Sequence, residues 1–169
     1  MGYTTWGIIF LNFFLFLEYT SADLVYDVCK QTRNYTLCTE TLKASANSSN
    51  ADTKNLGAIM IRAARSRATH NLVYISKLMI NSTNPDDFKR CLKVCYDDYS
   101  LIVKAFIPNA LQSLFTGSNI DAAVSILLSA DQVMDCQDDN CVELSPSLND
   151  RCNEYADFTQ LVADVLRVA

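Results

Sequence analysis

From residue 23 onward, apolar side chains recur at intervals of three and four, the spacing that lines one face of an α-helix. Four long amphipathic segments follow from it. The first spans about 52–80, with Leu56, Ile59, Met60, Ala63, Leu72, Ile75 and Met79 expected inward, Asn50 as its cap and the NSTNP run 81–85 as its stop. The second covers about 86–115 through Leu92, Cys95, Tyr99, Ile102, Val103, Phe106, Leu111 and Leu114. Pro108 lies inside this pattern and predicts a kink, since its ring removes one hydrogen bond and crowds the preceding turn. The third runs over about 120–136 after a break at 116–119, with Ala123, Ile126, Leu127, Ala130, Val133 and Met134 on one side. The fourth opens at Ser145-Pro146, serine as cap and proline in the first turn, and carries Leu148, Cys152, Tyr155, Val162 and Leu166.

Two shorter helical pieces occupy 23–44, one on each side of Asn34. No sustained period-two alternation and no Asn-Gly or Asp-Gly turn marks a strand. Four amphipathic helices with short connections make antiparallel neighbours, so the expected fold is all-α: an up-down-up-down four-helix bundle. The N-terminal pair is expected as a helical hairpin appended to it.

The segment before this pattern decides the compartment. Trp6 to Leu17 reads WGIIFLNFFLFL, shorter than the roughly 20 apolar residues needed to cross a bilayer. Thr20 and Ala22 then supply small residues two apart, as signal peptidase requires. Residues 1–22 are therefore expected to be a secretory signal peptide, and 23–169 one helical domain. The signal holds Glu18 and no Lys or Arg, so the remainder carries −4 of the formal −5. That mild acidity, with no long Lys/Arg stripe, argues against nucleic acid as a partner. No second apolar run of membrane-spanning length follows, so no membrane association is expected after cleavage. Three N-x-S/T triplets, at Asn34, Asn47 and Asn81, are candidate glycosylation sites of an exported chain.

All seven cysteines lie beyond the expected signal peptide. Cys29 and Cys38 fall on the two short helical pieces, where a bond closes the hairpin. Such a bridge contributes about 2–3 kcal/mol by limiting the unfolded chain. Cys95 and Cys136 sit on the second and third bundle helices in positions that can face one another. Cys91 is one turn before Cys95, and in an antiparallel pair Cys91–Cys141 falls beside Cys95–Cys136. A tetrahedral zinc site from the same four thiolates competes, but an oxidising export route and loose spacing disfavour it. Cys152, the odd one, is expected to be a buried thiol on the core stripe of the fourth helix.

Catalytic chemistry is hard to assemble from what remains. His70 is the single histidine and lacks a Ser or Cys partner in any recognisable motif. The pairs Asp86-Asp87, Asp97-Asp98 and Asp138-Asp139 are expected as helix-start charge and solvated faces, because adjacent helical residues point about 100° apart. No enzyme activity, cofactor or metal is expected. An exported bundle without a catalytic set acts by presenting its surface to another protein.

Several stretches resemble a known family. LVYDVCKQTRNYTLCTETL (24–42) is similar to the N-terminal hairpin of the plant invertase inhibitor and pectin methylesterase inhibitor family, with two cysteines around a Thr/Asn-Tyr segment. The likeness continues through NLGAIMIRAARSRA (55–68), ISKLMINS (75–82), CLKVCYDDYSLIVKAFIPNALQSLFTG (91–117), SADQVMDCQDD (129–139) and SPSLN (145–149). It implies a helical hairpin on a four-helix bundle, secreted to the plant cell wall or held in the vacuole, with bonds Cys29–Cys38 and Cys95–Cys136. Cys91 and Cys141 depart from the four-cysteine pattern. Members block either acid invertase or pectin methylesterase, and this chain resembles the invertase branch more. Inhibitors of that branch insert a Pro-Lys-Phe segment, just before the third bundle helix, into the sucrose-cleaving cleft. The matching region here is Gly117, Ser118, Asn119, Ile120 and Asp121, the last three standing where that segment would be. An aliphatic and an acid replace a cation and an aromatic, and an acid is repelled by a cleft lined with carboxylates. The resemblance thus implies an invertase inhibitor, with a pectin methylesterase inhibitor or a non-inhibitory, allergen-like scaffold as the other outcomes.

Overall fold

The computed structural model describes residues 24–80, 83, 85–138 and 145–168. Helix α1 covers 24–29, α2 Tyr35–Lys43, α3 Thr53–Ile80, α4 Asp86–Leu101, α5 Ile107–Thr116, α6 Asn119–Asp138 and α7 Pro146–Val168. A short 3-10 turn, Ser48–Asn50, precedes α3, and a π-helical turn, Ile102–Phe106, joins α4 to α5. The rod α4–α5, with α3, α6 and α7, makes the up-down-up-down bundle, and α1–α2 is the disulfide-linked hairpin. Among the described residues no helix is long and apolar enough to cross a membrane. The expected signal peptide, Asn81 and Cys141 lie outside the described residues.

Local chemistry starts and stops these helices. Asn34 Oδ1 accepts the Leu37 amide at 3.0 Å and opens α2. At α3 the cap is Asp52, whose Oδ1 accepts the Asn55 amide at 2.7 Å, and not Asn50 as expected. Ala51 is extended (φ −80°, ψ 137°), so the chain enters the helix only beyond it, and Asn50 closes the 3-10 turn instead. The Pro108 kink takes the form of the π turn. The Ile107 amide bonds to the Ile102 carbonyl five residues back, so the helix widens by one residue just before the ring. Pro108 then sits in the first turn of α5 and the rod continues.

The core is built around two tyrosines. Tyr99 of α4 and Tyr155 of α7 meet edge to face, centroids 5.7 Å apart and planes at 68°. Both hydroxyls are buried and partnered: Asn71 Nδ2 donates to Tyr99 at 3.0 Å, and Ser129 Oγ lies 3.0 Å from the Tyr155 hydroxyl. The weak middle of the α3 stripe is completed by small side chains, Ala58, Ala64 and Ala68, all fully buried. Gly57 marks a close approach, since a Cβ there would stand 2.9 Å from Leu166 Cδ2 and 3.4 Å from Leu114 Cδ2. Two expectations fail. Met134 is 56% exposed, because α6 turns Val133 and Cys136 inward instead. Asp98 is buried rather than solvated, with Gln132 Nε2 donating to its Oδ1 at 2.7 Å, whereas Asp97 pairs with Lys93 at the surface.

Among the described residues, disulfides join Cys29 to Cys38 across the hairpin (Cα–Cα 5.6 Å) and Cys95 to Cys136 between α4 and α6 (Cα–Cα 4.7 Å). Cys95 and Cys136 are therefore oxidised to one another, which removes two ligands from the competing zinc arrangement. Cys91 is also disulfide-bonded, and Cys152 is a buried free thiol. The hairpin is part of the core and not an appendage, for Val25, Val28, Cys29, Cys38 and Leu42 join the same buried cluster. Arg33 fastens it to α7, donating to Asp164 through its backbone amide (3.2 Å), Nε (2.7 Å) and Nη2 (3.1 Å).

Partial burial pushes the Asp164 carboxyl up, but the hydrogen bonds and charge of Arg33 outweigh it and hold it below the usual range. Its folded value is thus depressed. The Arg33–Asp164 contribution is whole above the unfolded-state value of about 3.9 and is lost as pH falls through the lower folded value. Asp164→Asn should cost about 1 kcal/mol at pH 6 and flatten the acid limb of stability, read by urea unfolding across a pH series. Gly57→Val should cost about 1–3 kcal/mol at any pH by overpacking against Leu166, in the same measurement.

Candidate functional site

The α5–α6 junction is a tight, prepaid turn. Gly117 adopts φ 95°, a left-handed conformation that a side chain disfavours. It lets the Ser118 amide reach the Ser113 carbonyl at 2.9 Å and its own amide the Leu114 carbonyl at 3.2 Å, which closes α5. Ser118 then opens α6. Its Oγ accepts the Asp121 amide at 3.3 Å and donates to Asp121 Oδ2 at 2.6 Å, a reciprocal cap. The Asp121 carboxylate also suits the positive end of the helix.

The expected five-residue loop is consequently shorter. Gly117 and Ser118 alone lie between the helices, while Asn119, Ile120 and Asp121 form the first turn of α6. The Ser-x-x-Asp box is the physical reason, since it starts a helix at once. Ile120 is 75% exposed and stands out from this turn, and Asp121 is exposed with its carboxylate engaged by Ser118.

Two further residues reach this end of the bundle. Phe115, in the last turn of α5, is 49% exposed. Lys54, in the first turn of α3, donates its Nζ to the Phe115 carbonyl at 3.0 Å and lies 5.7 Å from the ring centroid. The cation also complements the negative end of α5. A cation and an aromatic therefore stand two residues before Gly117, brought together from 61 positions apart. Sequence spacing carries no signal for this pair, because it depends on how α3 and α5 pack.

No acid–base pair assembles around these groups. His70 is exposed on α3, and Asp86 and Asp87 are exposed in the first turn of α4, paired with Lys89 and Arg90. Among the described residues no three His, Cys, Asp or Glu side chains are placed to hold a metal. A separate groove of about 800 Å³ lies between the end of α2 and α3, where Thr41, Ser45, Asn47, Asn55 and Arg62 line it. Its one charged side chain is Arg62, so it holds no catalytic set. Asn34 and Asn47 are exposed. The Asn34 cap uses Oδ1, which leaves Nδ2, the atom a glycan would occupy, outside that bond.

The structure is thus a disulfide-stapled helical bundle that displays a few side chains at one tight turn. The chain belongs to the family described as plant invertase/pectin methylesterase inhibitor, which matches residues 23–167. Among curated proteins it is 29% identical over 98 residues to cell wall / vacuolar inhibitor of fructosidase 1 of Arabidopsis thaliana, covering 58% of this chain and 46% of that protein. It is 30% identical over 81 residues to cell wall / vacuolar inhibitor of fructosidase 2 of the same plant, covering 48% and 45%. The chain thus spans about half the length of the curated relatives it matches. Among solved structures, a mutant form of a pectin methylesterase inhibitor from Arabidopsis aligns with a TM-score of 0.66 at 18% identity, covering 83% of this chain and 93% of that one. A pectin methylesterase inhibitor from Arabidopsis thaliana aligns with a TM-score of 0.61 at 16% identity, covering 88% and 96%. At such identities these two likenesses are ones of fold.

Gly117→Ala tests how rigid the turn is. A Cβ there meets nothing within 4 Å, so the left-handed backbone alone sets the cost. Thermal unfolding should show a loss of about 1 kcal/mol.

Proposed function

We propose that this protein is an exported inhibitor of acid invertase, docking the α5–α6 turn over the enzyme's active-site cleft. The fructosidase inhibition named for both curated relatives supports invertase over pectin methylesterase. The exposed end formed by Lys54, Phe115 and Ile120 carries the reading. In place of a consecutive Pro-Lys-Phe segment, Lys54 supplies the cation, Phe115 the aromatic and Ile120 the protruding apolar contact. A lysine favours approach to a carboxylate-lined cleft, and the Ser118 hydroxyl bond holds the Asp121 carboxylate at the helix start. Disulfides form along an oxidising export route, and the cell wall or vacuole named for the relatives agrees with it. Asn34 and Asn47 are the exposed positions at which export would add glycans.

The reading is tested by titrating the purified protein against acid invertase and against pectin methylesterase at about pH 5. Inhibition of invertase is expected. Lys54→Ala and Phe115→Ala should each weaken it about tenfold or more, as loss of a central anchor does. Asp121→Asn should leave it within about threefold. Inhibition of pectin methylesterase alone would replace this target with the other one. Inhibition of neither would leave the scaffold without inhibitory function.

A further inference from the structure

Three sulfur atoms meet inside the bundle. The free thiol of Cys152, on α7 and 1% exposed, lies 3.8 Å from Cys136 Sγ of α6, the same sulfur that is bonded to Cys95 of α4. The Tyr99 hydroxyl donates to Cys152 Sγ at 3.6 Å. The packing of α7 on α6 thus holds the thiol in van der Waals contact with a disulfide.

We propose that Cys152 is an internal nucleophile for the Cys95–Cys136 bond, able to exchange the staple between α4 and α6 for one between α6 and α7. The Cys152 thiolate attacks Cys136 Sγ. A Cys136–Cys152 bond forms as the Cys95–Cys136 bond breaks, and the electron pair leaves on Cys95 Sγ. That thiolate takes a proton from water, replacing the one Cys152 gave up. One disulfide and one thiol stand on each side of the step, so no oxidant or reductant is consumed.

The surroundings set when the exchange runs. Burial pushes the Cys152 thiol up to about 11, with the Asp98 charge adding to it and the Tyr99 hydrogen bond opposing it. From α4 the groups facing the thiol are Tyr99 and Asp98. From α6 it is the Cys136 disulfide sulfur, and α7 itself places Tyr155 against the Tyr99 ring. Asn71 of α3 reaches it only through Tyr99, and is neutral. Burial raises both tyrosines above their ordinary value, so they remain neutral donors while the thiol titrates. At the acid pH of a cell wall the thiol stays protonated and the α4–α6 staple is kept. The thiolate fraction grows about tenfold for each pH unit below the thiol's value.

The experiment uses the native protein held at about pH 5 and across a series from about pH 7.5 to 9.5, within the range where circular dichroism is unchanged. Each sample is quenched with acid, alkylated under denaturing conditions near pH 6, and digested without reduction for mass spectrometry. At pH 5 the alkyl group should sit on Cys152. Toward pH 9.5 it should appear on Cys95, together with a peptide linked through Cys136 and Cys152, the rate rising about tenfold per unit. A label that remains on Cys152 throughout would overturn the proposal. So would a Cys95 label that persists in Cys152→Ser. The Cys95→Ala variant gives an independent readout: Cys136 and Cys152 should pair on air oxidation, and two free thiols there would also overturn it.

Discussion

The contact on which the rest of the structure depends is the seating of α7 against α6 and α3. In its C-terminal half Phe158, Leu161, Val162, Val165 and Leu166 are all buried, so the helix is covered on most sides and not on a single stripe. Burial of that extent has a geometric requirement. Leu166 can reach the core only because Gly57 offers no Cβ, and the last flank is closed only because the hairpin lies over it and Arg33 grips Asp164. Each large side chain fully buried there is worth about 1.5–3 kcal/mol. The hairpin disulfide therefore acts at a distance: by holding α1 to α2 it keeps Arg33 where α7 needs it.

The same seating places polar groups inside the bundle, where Thr39 and Thr159 bond back to their own helices and three further pairs form across helices. Tyr99 bonds Asn71, Tyr155 bonds Ser129, and Asp98 accepts from Gln132. An unpaired group at any of these positions would cost about 1–3 kcal/mol, so the pairs fix the rotation of α3, α4, α6 and α7 relative to one another more sharply than apolar contact does. Apolar side chains tolerate sliding, whereas these bonds do not. The three-sulfur cluster arises from this rotation, since the turn of α7 that seats Tyr155 also sets Cys152 against Cys136.

Helix positions were legible in the chain because three- and four-residue spacing reports directly on which face is wet. The buried runs through Leu92, Cys95, Tyr99 and Ile102, or through Leu148, Cys152 and Tyr155, follow from it. Features that depend on two helices at once were not legible. Ala58, Ala64 and Ala68 look weakly apolar, yet their small size is what lets neighbouring helices come close. Asp98 reads as surface charge until Gln132 is placed beside it. At the α5–α6 junction Ser118 and Asp121 have the spacing of a helix start, yet Gly117 and the break around it give the same residues the look of a loop. Lys54 and Phe115 had no signal at all.

At the α5–α6 junction the polar side chains serve the scaffold itself. Asn119, Ile120 and Asp121 form the first turn of α6. Asp121 is committed to capping, and its carboxylate is turned to Ser118. Successive side chains in that turn point about 100° apart around the helix axis, so the three residues do not share one face. The cation and the aromatic beside this turn come instead from Lys54 and Phe115, which the packing of α3 on α5 brings together. The Lys54 ammonium is held by the helix-end carbonyl of Phe115, so the side chain has already given up part of its rotamer freedom in the free protein.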